Sequence, residues 1–418
     1  MRKRKVMTSK RKEVRVLYVG HLFPHHLTSK ILNQRFPPIQ TQRFGLALLT
    51  AIARGFIGEV EVLSVAPLLD YPICKTLISP KAKWIPLDGI HATMIPFINI
   101  IGLKHLTRFL GTCIFVGKWS LTNSQYNRII IMHGIQSCKV WGVIIGQAFY
   151  PAITLSYLTD DIGISQQWEG RLIKFLRKVD VSIMKAGLKK ISGVISMTNR
   201  LAESLAKSRP SLILPSIQNV SFYMPKRAYK NTNDGVSKNR IITIVYAGGL
   251  YKDSGVDLLA ESFCRANWND KRLIIAGSGI LENTIRAYSK KNARISFLGF
   301  LDANKLIELY AQADILINPR RISSSIALLS FPSKIVEYLC TGKPVISTNM
   351  PSLTAEFRKQ LILVYSEEPE ELIQCIDRVA SWDSRKRNQW RISTIQFIKR
   401  ELSPDVQGSR IKEFVQGL

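Results

Sequence analysis

The chain has 418 residues, enough for two domains with cores of their own. Hydrophobic residues make up 46% of it, which argues against an intrinsically disordered chain. The formal net charge of +29 favours an anionic partner: a membrane surface, a nucleic acid or a phosphorylated substrate. Six cysteines with no CxxC pair suit packed thiols in a reducing compartment rather than a disulfide framework.

Residues 1–12, MRKRKVMTSKRK, read as a basic tail. It lacks the apolar stretch of a secretory signal and suits contact with anionic lipid. EVRVLYVG (13–20) predicts a strand ending on Gly20, TQRFGLALLTAIAR a helix, and EVEVLSV (59–65) a second strand. The stretch VGHLFPHH, with Gly20 and His21, is expected to form a loop on the acceptor side of a cleft. His21, His25 and His26 are not read as a metal set, because Pro24 breaks their spacing and no nearby cysteine or acid completes it.

MIPFINIIGLKHLTRFLGTCIFVG (94–117) is interrupted by Lys104, His105 and Arg108, so it is not a clean membrane span. It reads equally as a segment lying in a membrane interface and as a helix plus strand of the core. RIIIMHG (128–134), PAITLSY (151–157), GVISM (193–197) and SLILP (211–215) predict further strands, with a long helix near 166–190. Asp160, beside Asp161, either meets an acceptor or caps that helix. Residues 216–240 are polar, basic and without periodicity, as a linker is.

The second half is more regular. IITIVYAGG (241–249), RLIIAGSG (272–279), RISFLGF (294–300), DILINPR (314–320), KPVIST (343–348) and LILVYS (361–366) are short, nearly unbroken apolar runs. Strands buried on both faces of a parallel sheet read this way. Helical patterns alternate with them. The fold class is therefore α/β, with two Rossmann-like, doubly wound parallel-sheet domains facing a central cleft. The N-terminal domain covers 13–215 and the C-terminal domain 241–395. Residues 396–418 form a C-terminal helical segment that could cross back to the first domain.

The motifs fall on strand-to-helix turns of the second domain. Gly248 and Gly249 after one strand, and Gly277 with Ser278 after the next, leave room for a ligand to approach backbone N–H groups. Taken alone, either is an ordinary βα turn. Arg320 follows Asn318-Pro319 at the end of a strand, where its guanidinium suits a phosphate. In FPSKIVEYLCTGKPVIST, Pro332 fits the first helical position. The N–H groups of Ser333 and Lys334 then lie at the positive end of the helix dipole. Glu337, one turn in, could accept from the paired hydroxyls of a ribose, although a lone glutamate there is more often at the surface. Gly342 ends that helix and Pro344 prevents its continuation. Together these residues imply a nucleoside diphosphate with something attached.

These motifs resemble the GT-B glycosyltransferases of retaining family four, in particular a bacterial polysaccharide-assembly branch with NPR followed by FPSK and EYL. The resemblance runs over about 241–350. It implies that Glu337 holds the ribose, that Ser333, Lys334 and the Gly248-Gly249 turn hold the diphosphate, and that the backbone around Leu298 and Gly299 meets the base. His133 is the match for the family's histidine at the catalytic edge. Two features depart from the family pattern. The earlier of its paired glutamates is here Leu329, and its usual arginine and lysine are Gly249 and Ser254. Arg320 and Lys334 are expected to supply the missing charge, and with His133 they are the candidate catalytic groups.

The expected reaction is sugar transfer from a nucleotide-sugar to a glycan or lipid-diphosphate-linked acceptor, with retention, without metal or cofactor. It would take place at the cytoplasmic face of the plasma membrane, through peripheral contact with anionic lipid and without nucleic acid. A nucleotide-sugar epimerase of the same architecture, a non-catalytic basic scaffold for membrane or nucleic acid, and an inactive transferase are the alternatives.

Overall fold

The computed structural model describes residues 13–27, 31, 39–159, 171–218, 240–324, 327 and 331–418. The chain divides into two compact units, Met1–Leu214 with Gln407–Leu418, and Pro215–Val406. The predicted basic tail, most of the predicted linker, Asp160, Asp161 and Leu329 lie outside the described residues.

The first unit is built on eight strands: β1 (Val14–Gly20), β2 (Gly58–Val65), β3 (Ala82–Leu87), β4 (Ile90–Ile95), β5 (Asn127–His133), β6 (Ile153–Leu158), β7 (Gly193–Ser196) and β8 (Ser211–Ile213). Their order is β3-β4-β2-β1-β5-β6-β7-β8, parallel except for β3 against β4. The helices are α1 (Ile39–Gly55), α2 (Leu103–Thr122), α3 (Ser137–Gly146), α4 (Arg171–Leu188) and α5 (Asn199–Ala206). The apolar runs of β1 and β5 are buried on both faces because helices cover both. Their neighbour order reverses at β1, so the carboxyl ends of β1 and β5 border a crevice in this topology.

β3 and β4 were not among the predicted strands. β3 is an edge strand in which half-buried and exposed positions alternate over Ala82–Ile85, and its Pro86 lies where the register slips between Trp84 and Leu87. The 94–117 segment is the end of β4 followed by most of α2, and its cations face inward rather than toward an anionic surface. Lys104 is 6% exposed; its Nζ donates to the Leu68 carbonyl at 2.7 Å and pairs with Asp70 at 2.5 Å. Arg108 is 4% exposed, donates to the Ala66 carbonyl at 2.9 Å and lies over the Phe97 ring. These side chains satisfy carbonyls of the loop that leaves β2, which water cannot reach.

The second unit has a six-stranded parallel sheet of β9 (Ile242–Ala247), β10 (Lys271–Ala276), β11 (Ile295–Phe297), β12 (Ile315–Asn318), β13 (Val345–Thr348) and β14 (Ile362–Val364). Its order is β11-β10-β9-β12-β13-β14. The connecting helices are α6 (Val256–Ala266), α7 (Glu282–Lys291), α8 (Ala303–Gln312), α9 (Ser333–Leu339), α10 (Ala355–Arg358) and α11 (Pro369–Ala380). Here the order reverses between β9 and β12, so ligand chemistry belongs at the loops that follow those two strands.

Two helices close the chain, α12 (Ser384–Leu402) and α13 (Pro404–Gln416). From Gln407 onward α13 belongs to the first unit. It meets α1 at two glycines. A Cβ on Gly408 would come within 2.2 Å of the Ala51 carbonyl, and one on Gly55 within 2.3 Å of the Gly408 carbonyl. Backbone touches backbone there, and neither side can yield. Gly408→Val should therefore destabilise the first unit by about 1–3 kcal/mol, the usual cost of overpacking. Thermal unfolding checks this, and a variant that melts with the wild type would show that α13 is not held by this contact.

Candidate functional site

The loops after β9 and β12 bring together most of the predicted donor-side residues. The β9 turn is fixed by close backbone approaches. At Gly277 (φ +140°) a Cβ would meet the Gly248 carbonyl at 1.7 Å, and at Gly255 (φ +67°) it would meet the Pro319 carbonyl at 1.8 Å. Only glycine permits such contacts and such φ values. Gly248 N–H donates to the Ala276 carbonyl and Gly277 N–H to the Gly299 carbonyl, both at 2.8 Å, while Leu298 N–H donates to Ile275 at 2.9 Å. The loops after β9, β10 and β11 thus form one hydrogen-bonded edge, with Ser278 and Leu298 exposed on it.

The room that Gly248 leaves is filled by protein. A Cβ there would meet Lys334 Cε at 2.5 Å and the Tyr246 hydroxyl at 2.6 Å, and one on Gly249 would meet the Tyr251 ring. The Tyr246 hydroxyl donates to the Gly249 carbonyl at 2.7 Å. Ser254, at the position where the resemblance implies a lysine, donates to the Tyr251 carbonyl at 2.5 Å and so closes a short 3-10 turn, Lys252–Ser254.

Helix α9 is tied to the same turn. The Tyr338 hydroxyl accepts from Ala247 N–H at 2.9 Å and donates to the Ala247 carbonyl at 3.1 Å. Pro332 is the N-cap rather than the first helical residue, and no side chain caps the helix. Ser333 at its start is exposed. Glu337 is not at the surface: it is 1% exposed, on the buried side of α9, and its Oε2 accepts from the Tyr310 hydroxyl at 3.2 Å. Gly342 has φ +70° and its N–H donates to the Leu339 carbonyl, as a left-handed helix stop does.

Arg320 and Lys334 are the two cations of this edge. Each is half-buried, and neither makes an ion pair among the described residues. Arg320 Nη1 is buried without a hydrogen-bond partner. Desolvation holds the Arg320 guanidinium below its ordinary pKa, opposed by Tyr246 and Asp253. Desolvation likewise lowers Lys334, opposed by the Glu337 carboxylate and reinforced by Arg320. Arg321, by contrast, is fully engaged with Asp257 at 2.9 Å and Glu367 at 3.2 Å.

The first unit holds a separate polar cluster at the carboxyl ends of β1 and β5. A Cβ on Gly20 would strike the Tyr18 ring, so that turn requires glycine. The Tyr18 hydroxyl hydrogen-bonds His133 Nδ1 at 2.9 Å. His21 Nδ1 donates to the Val65 carbonyl at 3.0 Å, which leaves Nε2 to accept from Lys139 Nζ at 3.0 Å. Lys139 also donates to the His133 carbonyl at 2.6 Å. All four side chains are buried. Desolvation, with the charge of Lys139, pushes His133 down to about 3 and lowers His21 well below its usual value. His25 and His26 lie apart in a short 3-10 helix. Among the described residues no group of three or more His, Cys, Asp or Glu could hold a metal ion.

Sequence reasoning missed Lys139, Tyr18, Tyr246 and Tyr338. A lysine within SCKVWGVIIG, an otherwise apolar helix directly after a strand-end histidine and glycine, was the available signal for the first. The tyrosines read as apolar core residues and gave none.

Residues 241–381 match the family described as Glycosyl transferases group 1. An uncharacterized glycosyltransferase of Methanocaldococcus jannaschii is 25% identical over 150 residues, which are 34% of this chain and 37% of that protein. The chain thus matches little more than a third of this curated relative's length. Among solved structures, sucrose-phosphate synthase from Thermosynechococcus elongatus aligns over 97% of this chain and 99% of its own, with TM-score 0.62 and 15% identity. HepE of Anabaena, in complex with UDP, aligns over 97% and 100% with TM-score 0.61 and 15% identity. The trehalose-6-phosphate synthase OtsA aligns over 97% and 99% with TM-score 0.63 and 10% identity. The fold is that of the GT-B glycosyltransferases.

Lys139 carries a pH signature. Burial pushes its pKa from 10.5 to about 7. Between those values the unfolded chain holds a proton that the folded chain lacks, so stability rises with pH across that window. The contribution is full above the unfolded value and is lost as pH falls through about 7. The unfolding free energy of the wild type relative to Lys139→Met should therefore grow from pH 7 to pH 10, with a slope of up to about 1.4 kcal/mol per pH unit. Urea melts at several pH values measure it, and a difference that stays flat would count against the buried lysine.

Proposed function

We propose that the protein is a glycosyltransferase that moves a sugar from a nucleoside-diphosphate donor to an acceptor hydroxyl. The observation that carries this reading is the pair Arg320 and Lys334. Two cations with reduced hydration, neither in an ion pair among the described residues, stand at the reversal point of a parallel sheet, on the part of the chain that matches glycosyl transferases group 1. Such a pair calls for a dianionic ligand. The structural neighbour HepE binds UDP and, in a further structure, UDP-glucose.

In this reading the bond between the sugar's anomeric carbon and the diphosphate oxygen breaks, and a bond to the acceptor oxygen forms. Negative charge gathers on the departing diphosphate, where Lys334 and Arg320 stabilise it more in the transition state than in the ground state. The acceptor proton leaves toward that oxygen or to water. Gly248, Gly249, Ser278 and Ser333 line the diphosphate side, and the exposed loop around Leu298 and Gly299 serves the base. His133 is assigned to the sugar or to transition-state charge, and Gly20 and His21 to the acceptor side. No cofactor is assigned. Retention of configuration, an acceptor on a glycan or lipid diphosphate, and a role in cell-surface polysaccharide assembly complete the proposal.

Screening nucleoside-diphosphate sugars for thermal stabilisation identifies the donor, since a ligand bound only by the folded form raises stability. Arg320→Ala and Lys334→Ala should each weaken nucleoside-diphosphate binding by about tenfold or more, the worth of a charged hydrogen bond. Unchanged affinity in both variants, by isothermal titration, would remove the phosphate site from this edge. Glu337→Gln should weaken binding of the nucleoside diphosphate but not of inorganic pyrophosphate if the carboxylate meets a ribose. Unchanged affinities for both ligands, with only a lower melting temperature, would make Glu337 a packing residue.

A further inference from the structure

Helix α2 carries a second face that the inward-turned Lys104 and Arg108 do not use. Leu103, Leu106, Leu110, Ile114 and Leu121 are all exposed, at spacings of three, four, four and seven. At 100° per residue they form one stripe along the whole helix. The loop before it adds Ile101, which is 71% exposed. Helix α3 packs against α2 on one side and α4 on the other. Helix α4 presents Phe175, Val179 and Ile183 to solvent at spacings of four, with Phe175 61% exposed. Phe149, just beyond α3, is 92% exposed.

These helices share one side of the sheet. The connections β4–α2–β5, β5–α3–β6 and β6–α4–β7 cross the sheet in one direction, and right-handed crossovers place their helices together. The β1–α1–β2 connection runs the other way, which puts α1 on the opposite side.

The charge around this apolar face has one sign. Lys118 on α2 and Lys178 on α4 are exposed, Lys174 and Lys185 are half-exposed, and Lys189 and Lys190 follow α4. The one acid on the three helices, Asp180, accepts from the Ser137 hydroxyl. Exposed leucine, isoleucine and phenylalanine edged by lysine is the pattern of a helix layer lying in a bilayer interface, where the ammonium groups reach the headgroups. Protein interfaces are instead depleted in lysine, and aliphatic side chains offer nucleic-acid bases no stacking platform. No described helix is long and apolar enough to cross a membrane.

We propose that the outer face of α2, α3 and α4 docks on an anionic lipid bilayer, with the α2 stripe in the acyl boundary and the α4 lysines among the headgroups. The proposal stands apart from the donor site, since it concerns only residues of the first unit.

Flotation of the full chain with vesicles of phosphatidylcholine and phosphatidylglycerol in equal amounts tests it, beside vesicles of phosphatidylcholine alone. The wild type should float with the mixed vesicles and bind the neutral ones at least about tenfold more weakly. Leu110→Glu with Ile114→Glu should abolish flotation. Lys178→Glu with Lys185→Glu should weaken it by about tenfold or more. Ile57→Glu, at an exposed site before β2, should float as the wild type does. These sites are exposed, or half-exposed at Lys185, so melting temperatures should stay near the wild-type value. The proposal fails if the wild type does not float, or if the α2 double variant floats unchanged. It also fails if flotation depends on residues 1–12 alone. Sedimentation velocity showing a dimer that the α2 variant converts to monomer would assign the face to a second copy of this chain and overturn the proposal.

Discussion

Arg320 adds to the strain on Lys334. Each loses part of its hydration, and the guanidinium further lowers the affinity of the ammonium for its proton. A protein keeps such a pair only where surrounding structure over-determines it. Here the restraint is visible: Tyr338 grips both backbone groups of Ala247, which fixes α9 against the end of β9. The aliphatic stem of Lys334 then fits over Gly248, because that residue has no side chain. The tyrosine, the glycine turn and the lysine are one device, and the glycines serve backbone packing before they serve any ligand.

The first unit treats its buried lysine in the opposite way. Lys139 is as enclosed as Lys334 is strained, yet its donors already go to the His133 carbonyl and to His21 Nε2. Its place at the carboxyl ends of β1 and β5 matches that of Lys334 in the second sheet, and the two sites differ in what remains unsatisfied. One edge has spent its hydrogen bonds on itself, while the other holds charge in reserve. Arg321 shows the same economy within a single loop: it is paired twice, whereas its neighbour Arg320 keeps a buried nitrogen without a partner.

Much of the architecture was legible in the sequence. Runs such as IITIVYA and RLIIA read as strands because helices bury both faces of a parallel sheet and leave no polar positions in them. β3 was not legible, since an edge strand with Lys83 and Ile85 outward shows no such run. The segment 94–117 stayed ambiguous for a different reason. Composition reports that Lys104 and Arg108 are cationic, but not that the loop leaving β2 presents carbonyls to them. Glu337 was legible as a residue of interest, but its burial was not. Periodicity on a seven-residue helix is too short to show which side carries a carboxylate. Tyr310, its partner, lies 27 positions away on another helix.

The close contact of α13 with α1 bears on how the chain matures. Residues Gln407–Leu418 complete a unit whose other part ends at Leu214. During synthesis the amino-terminal unit emerges first, but its glycine-to-glycine seam cannot form until α13 has left the ribosome. Domains that fold in order of emergence are sheltered from cross-pairing by early completion. Here that side of α1 stays uncovered while the whole of Pro215–Val406 is made, so the window of vulnerability to chaperones, proteases and neighbouring chains spans the synthesis of the second unit as well as its own.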